Sequence, residues 1–207
     1  MAQNQLFSTP NNDRSSGTAP QDIDDSSRKQ DGPIIIPARA EDVGALMDLM
    51  SQANQYALSK SGKLVWTTQF SNDWFQSQIK LGECFVLRKP DRPITAAITI
   101  SEQDAYSWGD QGNDGQALYL HKLMKSPKLA QPNAGLKLIH FAAQEALRRD
   151  KQVVRCDFLV SMSGLIDYYE RLGFIEQRLL IYKASDEQGV LLQANSREVL
   201  EKTAQHG

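Results

Sequence analysis

The stretch Leu118–Phe174 constrains this chain most, because it sets strand and helix periodicities in a fixed order. Leu118–Met124 is an apolar strand pattern, and 126–132 is a loop. Ala134–Arg149 puts Leu138, Ile139, Ala142 and Ala146 on one helical face. It ends on Arg148 and Arg149, the charge favoured at a helix C-terminus. Val153–Val160 is a second strand, and Leu165–Leu172 a short helix stopped by Gly173. Two strands joined through a helix of this length run parallel. The helix opening at Asn133-Ala134-Gly135 follows a strand and its loop directly. Its unpaired N–H groups and positive dipole end suit an anion, most often a phosphate.

The flanks read more simply. Residues 1–32 are rich in Asn, Gln, Ser, Asp and Pro, with Leu6, Phe7 and Ile23 as their main apolar side chains. They bury too little to offset ordering entropy and are expected to be a disordered tail. Folded sequence is expected over 33–184, with 185–207 a C-terminal extension holding a short helix N-capped by Ser196. Ile34–Ile36 is a strand; Val43, Leu46, Met47, Leu49 and Met50 mark a helical face. A helix over Asn72–Leu81 precedes a hairpin of Cys84–Leu87 and Ile94–Ile100. Residues 102–116 are polar and Gly-rich, a loop, and Phe174–Lys183 returns as a strand.

Composition narrows the function classes. A chain of 207 residues suits one domain with an appendage. A net charge of −2 gives no global attraction to nucleic acid or an anionic membrane. No apolar run has the length of a membrane span. Cys84 and Cys156 make no disulfide framework, so a reduced, cytoplasmic setting is expected. The histidines at 121, 140 and 206 lack metal-ligand spacing, and no metal is expected.

Three features together carry a family resemblance: Tyr169-Glu170-Arg171-Leu172-Gly173-Phe174, Tyr119-Leu120-His121-Lys122-Leu123, and the order of elements between them. Over Pro33 to about Ala184 the chain resembles the GCN5-related N-acetyltransferases. The resemblance implies an α/β domain: a mixed, mostly antiparallel sheet with splayed central parallel strands, flanked by helices. It implies acetyl-CoA as co-substrate and transfer of its acetyl group to a primary amine by direct attack in a ternary complex. Leu123, Met124 and Lys125 would then meet the acetyl and pantetheine groups. Gln131, Asn133, Ala134, Gly135 and Leu136 would receive the pyrophosphate. Tyr169 would protonate the leaving thiolate, and a backbone amide of the Leu118–Met124 strand would stabilise the oxyanion. The loop departs from the family pattern, with Ala130 at the basic or amide position and Asn133 at the first Gly.

His121 alternates with Tyr119 and Leu123, and its ordinary pKa suits a base near neutrality; the competing role is a packed, hydrogen-bonded histidine. Asp157, Glu83 and Glu102 are lesser candidates, read as surface or strand-edge charges. Tyr169 has a competing packing role, Tyr168 reads as core, and His140 as surface. Trp66, Trp74 and Trp108 either wall an acceptor site or cover core edges. A small-molecule amine is the expected acceptor, and dimers are common in the family. Two other readings stay open. One is a non-CoA acyl donor, a carrier protein or an aminoacyl-tRNA, the latter drawing on Lys122, Lys125, Lys128 and Lys137. The other is a non-catalytic ligand-binding module on the same fold.

Overall fold

The computed structural model describes residues 32–62, 64–66, 71–182 and 186–206. The tail expected over 1–32 lies outside them except for Gly32. In chain order the strands are β1 Ile34–Pro37, β2 Cys84–Arg88, β3 Ala96–Ser101, β4 Ala117–Lys125, β5 Val153–Leu159, β6 Ile175–Tyr182 and β7 Glu187–Asn195. The α-helices are α1 Val43–Ser61, α2 Asn72–Lys80, α3 Ala105–Trp108, α4 Ala134–Arg148, α5 Ser163–Arg171 and α6 Ser196–Gln205. One seven-stranded sheet runs β1-β2-β3-β4-β5-β7-β6. Every neighbouring pair is antiparallel except β4 and β5, which are parallel as the sequence predicts.

Strand alternation divides the core between the two sheet faces. Leu118, Leu120, Val154 and Cys156 meet Leu138, Ile139, Ala142 and Ala146 of α4. Burying Leu138 and Ile139 contributes about 1.5–3 kcal/mol each. Ala117 and Tyr119 point the other way, to Trp108 and Leu191. Under β2 and β3 that opposite face is covered by Leu46, Leu49, Met50 and Phe75 from α1 and α2, with Val86, Ala97 and Met124.

The alternation of β4 changes parity midway. Ala97 pairs with Met124 and Thr99 with His121, so Lys122 and Leu123 together oppose Ile98. That is a β-bulge, and Lys122 takes φ 48°, in the left-handed region. Leu123 therefore packs with the α4 cluster while Met124 joins the α1 and α2 cluster. The shared face read for Tyr119, His121 and Leu123 ends at this bulge, because one extra residue turns Leu123 to the other side.

Of the segment 185–207, read as an extension, the described residues 186–206 are part of the domain. β7 pairs with β5 along its length and with β6 on its other edge. Val190, Leu191 and Leu192 are buried, so the strand completes the core. α6 is capped by Asn195, not Ser196: the Asn195 side chain accepts from the N–H groups of Arg197 and Glu198. His140, expected at the surface, is half-buried, with Nδ1 2.7 Å from the Thr203 hydroxyl on α6.

Candidate active site

β4 and β5 stay paired only over Ala117↔Val153, Leu118↔Val154 and Tyr119↔Arg155. Beyond that point β4 follows β3 and β5 follows β7. The two parallel strands therefore part, and a cleft opens with the bulge on one wall. Such bulges re-aim backbone groups next to sites.

On the α3 side of the cleft three titratable groups meet. His121 Nε2 is 3.8 Å from Asp104 Oδ2. One ligand atom each of Asp104, His121 and Asp157 lies within 4.8 Å of the others. Asp104 is the N-cap of α3, and its Oδ1 accepts from Ser107 N–H at 3.0 Å. Its own N–H donates to the Gly112 carbonyl at 2.9 Å. Gly112 has no room for a side chain, since a Cβ there would lie 2.2 Å from the Asp104 carbonyl oxygen. Asp157 accepts a hydrogen bond from the Tyr182 hydroxyl. The Tyr182 ring lies against Gly189, where a Cβ would come within 2.5 Å of it.

The polar loop 102–116, expected to be irregular, holds α3 and a 3-10 turn over Gly109–Asn113. Its organiser is Arg155, a buried cation. One Arg155 nitrogen donates to the Gln111 carbonyl and to the Tyr119 hydroxyl, each at 2.8 Å. Nε donates to Gln193 at 2.7 Å, and Asp114 pairs with the guanidinium at 2.9 Å. The guanidinium also sits 4.9 Å from the Trp108 ring centre. Trp108 is thus core, not an acceptor wall. This clamp fixes Asp104 against the cleft.

Burial pushes the His121 pKa down; Asp157 and Asp104 hold it up in part and Lys122 opposes them. His121 is therefore a neutral imidazole over most of the physiological range. Burial also lowers Lys122, whose ammonium lies 5.6 Å from the Trp74 ring centre. The Tyr182 phenol is raised by burial and then by Asp157. Of the other candidate bases, Glu102 is engaged by Arg149 at 3.3 Å and Lys151 at 3.4 Å. Burial raises Glu83.

The opposite mouth of the cleft is the start of α4. Asn133 is its N-cap without a side-chain cap bond. Ala134 N–H is taken by the Gln131 carbonyl at 3.0 Å, while among the described residues Gly135 and Leu136 N–H have no backbone acceptor. Gln131, Asn133 and Lys125 are exposed; Ala134, Gly135 and Leu136 are buried, and Lys137 Nζ donates to Gln131 Oε1 at 3.3 Å. A groove of roughly 650 Å³ lies beside this mouth, between Gln52, Gln55 and Tyr56 of α1 and Ser126–Leu129. From Gly135, a Cβ would be 3.7 Å from Leu123 and 3.9 Å from the Tyr168 hydroxyl. Tyr168, read as core, therefore reaches the α4 mouth. Tyr169 is 2% exposed and packs on Phe158 at 4.7 Å and Phe174 at 5.0 Å between ring centres. Phe158 belongs to the half of β5 that has left β4, and Tyr169 is buried against it.

Sequence reasoning placed His121 among the candidates, and the structure brings Asp157 to it. It missed Asp104 and Tyr182. Asp104, three residues before Ser107 and opening Ala105-Tyr106, has the look of an N-cap, a signal available in the loop. Tyr182 carries none, because its partner lies across two strand pairings.

No protein-family model matches the chain, and no curated protein does. Solved structures do. A GNAT-family acetyltransferase from Listeria monocytogenes superposes with TM-score 0.65 and 23% identity, over 79% of this chain and 94% of that one. The yncA protein of Salmonella typhimurium, solved with its cofactor acetyl-CoA, gives 0.57 and 15% over 80% and 94%. The ribosomal-protein-S18-alanine N-acetyltransferase of Escherichia coli gives 0.57 and 16% over 79% and 93%. The fold is that of the GCN5-related N-acetyltransferases. Among the described residues, no helix is long and apolar enough to cross a membrane.

Proposed function

We propose that this protein transfers an acetyl group from acetyl-CoA to a primary amine of a small molecule, in a cytoplasmic setting. The observation that carries the reading is the parting of β4 and β5, with a bulge on one wall, a neutral imidazole on one side and free helix N–H groups on the other. The acetyl-CoA bound in the Salmonella structure of the same fold supports the choice of donor.

The residues fit that donor. Gly135 and Leu136 N–H would bind the pyrophosphate, aided by Gln131 and Asn133 and by the dipole of a fifteen-residue helix. Leu123, Met124 and Lys125 would offer backbone groups to the pantetheine arm and acetyl oxygen as β4 leaves its bulge. The bound thioester supplies an activated acyl carbon. His121 takes one proton from the incoming ammonium at Nε2, leaving a lone pair to attack that carbon. A backbone N–H of the bulge stabilises the oxyanion. As the carbon–sulfur bond breaks, Tyr169 gives its phenolic proton to sulfur and regains one from the acylated nitrogen. Burial keeps that phenol well above its ordinary pKa, so it is protonated when needed. Tyr168 lines the donor path at Gly135.

The test is thioester turnover with acetyl-CoA against a panel of amines, comparing Tyr169→Phe and Tyr168→Phe. Loss of kcat in the first and a raised acetyl-CoA KM in the second is the expected pattern. No acetyl-CoA turnover by the parent with any amine overturns the reading in favour of another acyl donor or a ligand-binding module.

A further inference from the structure

Asp104 Oδ2 is a buried carboxylate oxygen with no hydrogen-bond partner among the described residues. The side chain is only 7% exposed. Its other oxygen is spent on Ser107, its backbone on Gly112, and the loop around it is held by Arg155. Leaving an ionised oxygen unpaired in such a place is costly, and a fixed scaffold that does so provides for a cationic donor. The oxygen points at His121, beside Asp157. Two carboxyl groups, Asp104 and Asp157, thus converge on His121 within reach of Lys122, an acidic balance that suits a single incoming cation.

The two kinds of cation ask for different spacings. A tetrahedral metal ion with bonds of ~2.1 Å holds its ligand atoms about 3.4 Å apart. An ammonium donating at ~2.8 Å spans acceptors about 4.6 Å apart. His121 and Asp104 stand at 3.8 Å, and all three atoms lie within 4.8 Å. The 3.8 Å spacing falls between the two values, and the acetyl-transfer reading of the cleft selects the ammonium. Tyr182 already donates to Asp157 and leaves that group as a braced acceptor.

We propose that Asp104, with Asp157 and His121, is a seat for a primary alkylammonium, so that the acceptor is an aliphatic amine arriving protonated and not a weakly basic arylamine. This rests on the acetyl-transfer reading for its catalytic meaning, but the seat itself is a binding claim. The ammonium donates to Asp104 Oδ2, Asp157 and His121 Nε2, the last bond being the path of its proton. Asp104 then stands beside the imidazolium it creates.

The chain has three histidines, so ring resonances of His121, His140 and His206 can be assigned by substitution. The experiment titrates n-propylammonium chloride into the full protein without acetyl-CoA, against sodium chloride at equal ionic strength. A saturable shift confined to His121, weakened at least tenfold in Asp104→Asn and in Asp157→Asn, is expected; aniline gives no shift. Asn retains the oxygen that caps α3, so Asp104→Asn keeps the fold. Equal binding by parent and variants, no shift at His121, or aniline binding as well as propylammonium overturns the seat. Stoichiometric binding of zinc chloride at micromolar concentration, with His121 as ligand, also overturns it. Acetyl-CoA binding is measured separately: binding of acetyl-CoA without propylammonium removes the seat and spares the donor reading. Propylammonium binding without acetyl-CoA supports the seat and removes the donor reading.

Discussion

At the scale of single residues, His121 and the glycine packed against Asp104 decide the chemistry and its cost. Burial lowers the His121 pKa, so the unfolded chain binds this proton at a higher pH than the folded one. His121's contribution to stability is therefore fully present above about pH 6.5 and is lost as pH falls through the lower folded value. The low-pH limb of kcat should likewise fall below imidazole's ordinary ~6.5. In His121→Gln that limb should vanish and kcat drop by about 10²-fold or more, with acetyl-CoA affinity unchanged. An unaltered pH–rate profile would place the base elsewhere. Gly112→Ala drives a methyl to 2.2 Å from the Asp104 carbonyl oxygen. It should lower stability by about 1–3 kcal/mol or more, read in thermal melts, and raise KM for the amine as Asp104 shifts.

At the scale of elements, the bulge in β4 decides what faces the cleft. Lys122 holds φ 48°, at a cost a non-glycine residue bears, of roughly 1–2 kcal/mol. Lys122→Val should lower stability more than Lys122→Gly, because a β-branched side chain resists this conformation; denaturant midpoints of the two variants decide it. Here the limits of the sequence are physical. Apolar periodicity made β4, α4, β5 and α5 legible, since each buries a face that its own spacing declares. The bulge has no such signature, as no Gly or Pro marks the extra residue in Tyr119–Met124. For the same reason the face that His121 shares with Tyr119 was legible, but not that Leu123 leaves it. Asp104 and Tyr182 reach it through long-range pairing that spacing does not encode.

For the whole molecule, the sheet closes only with β7. A reading that ended the domain at residue 184 followed the match to Phe174 and the strand after it, and treated 185–207 as an appendage. The residues that correct it are Val190, Leu191 and Leu192, buried between β5 and β6, and Val199 and Thr203, which dock α6 on α4. A chain ending at Ala184 should therefore fail to fold, shown by loss of a cooperative thermal transition. A soluble, cooperatively melting truncate would contradict the architecture. In the proposed function the cleft between β4 and β5 receives acetyl-CoA with its phosphates on the start of α4. Calorimetric titration of the parent and of Asn133→Asp tests it most directly, because Asn133 is exposed at the N-cap of α4 and the variant sets a carboxylate where the anion would lie. Saturable binding by the parent, weakened at least tenfold in the variant while its melting temperature is kept, is the predicted result. No binding by the parent at millimolar acetyl-CoA, or equal binding by both proteins, would contradict it.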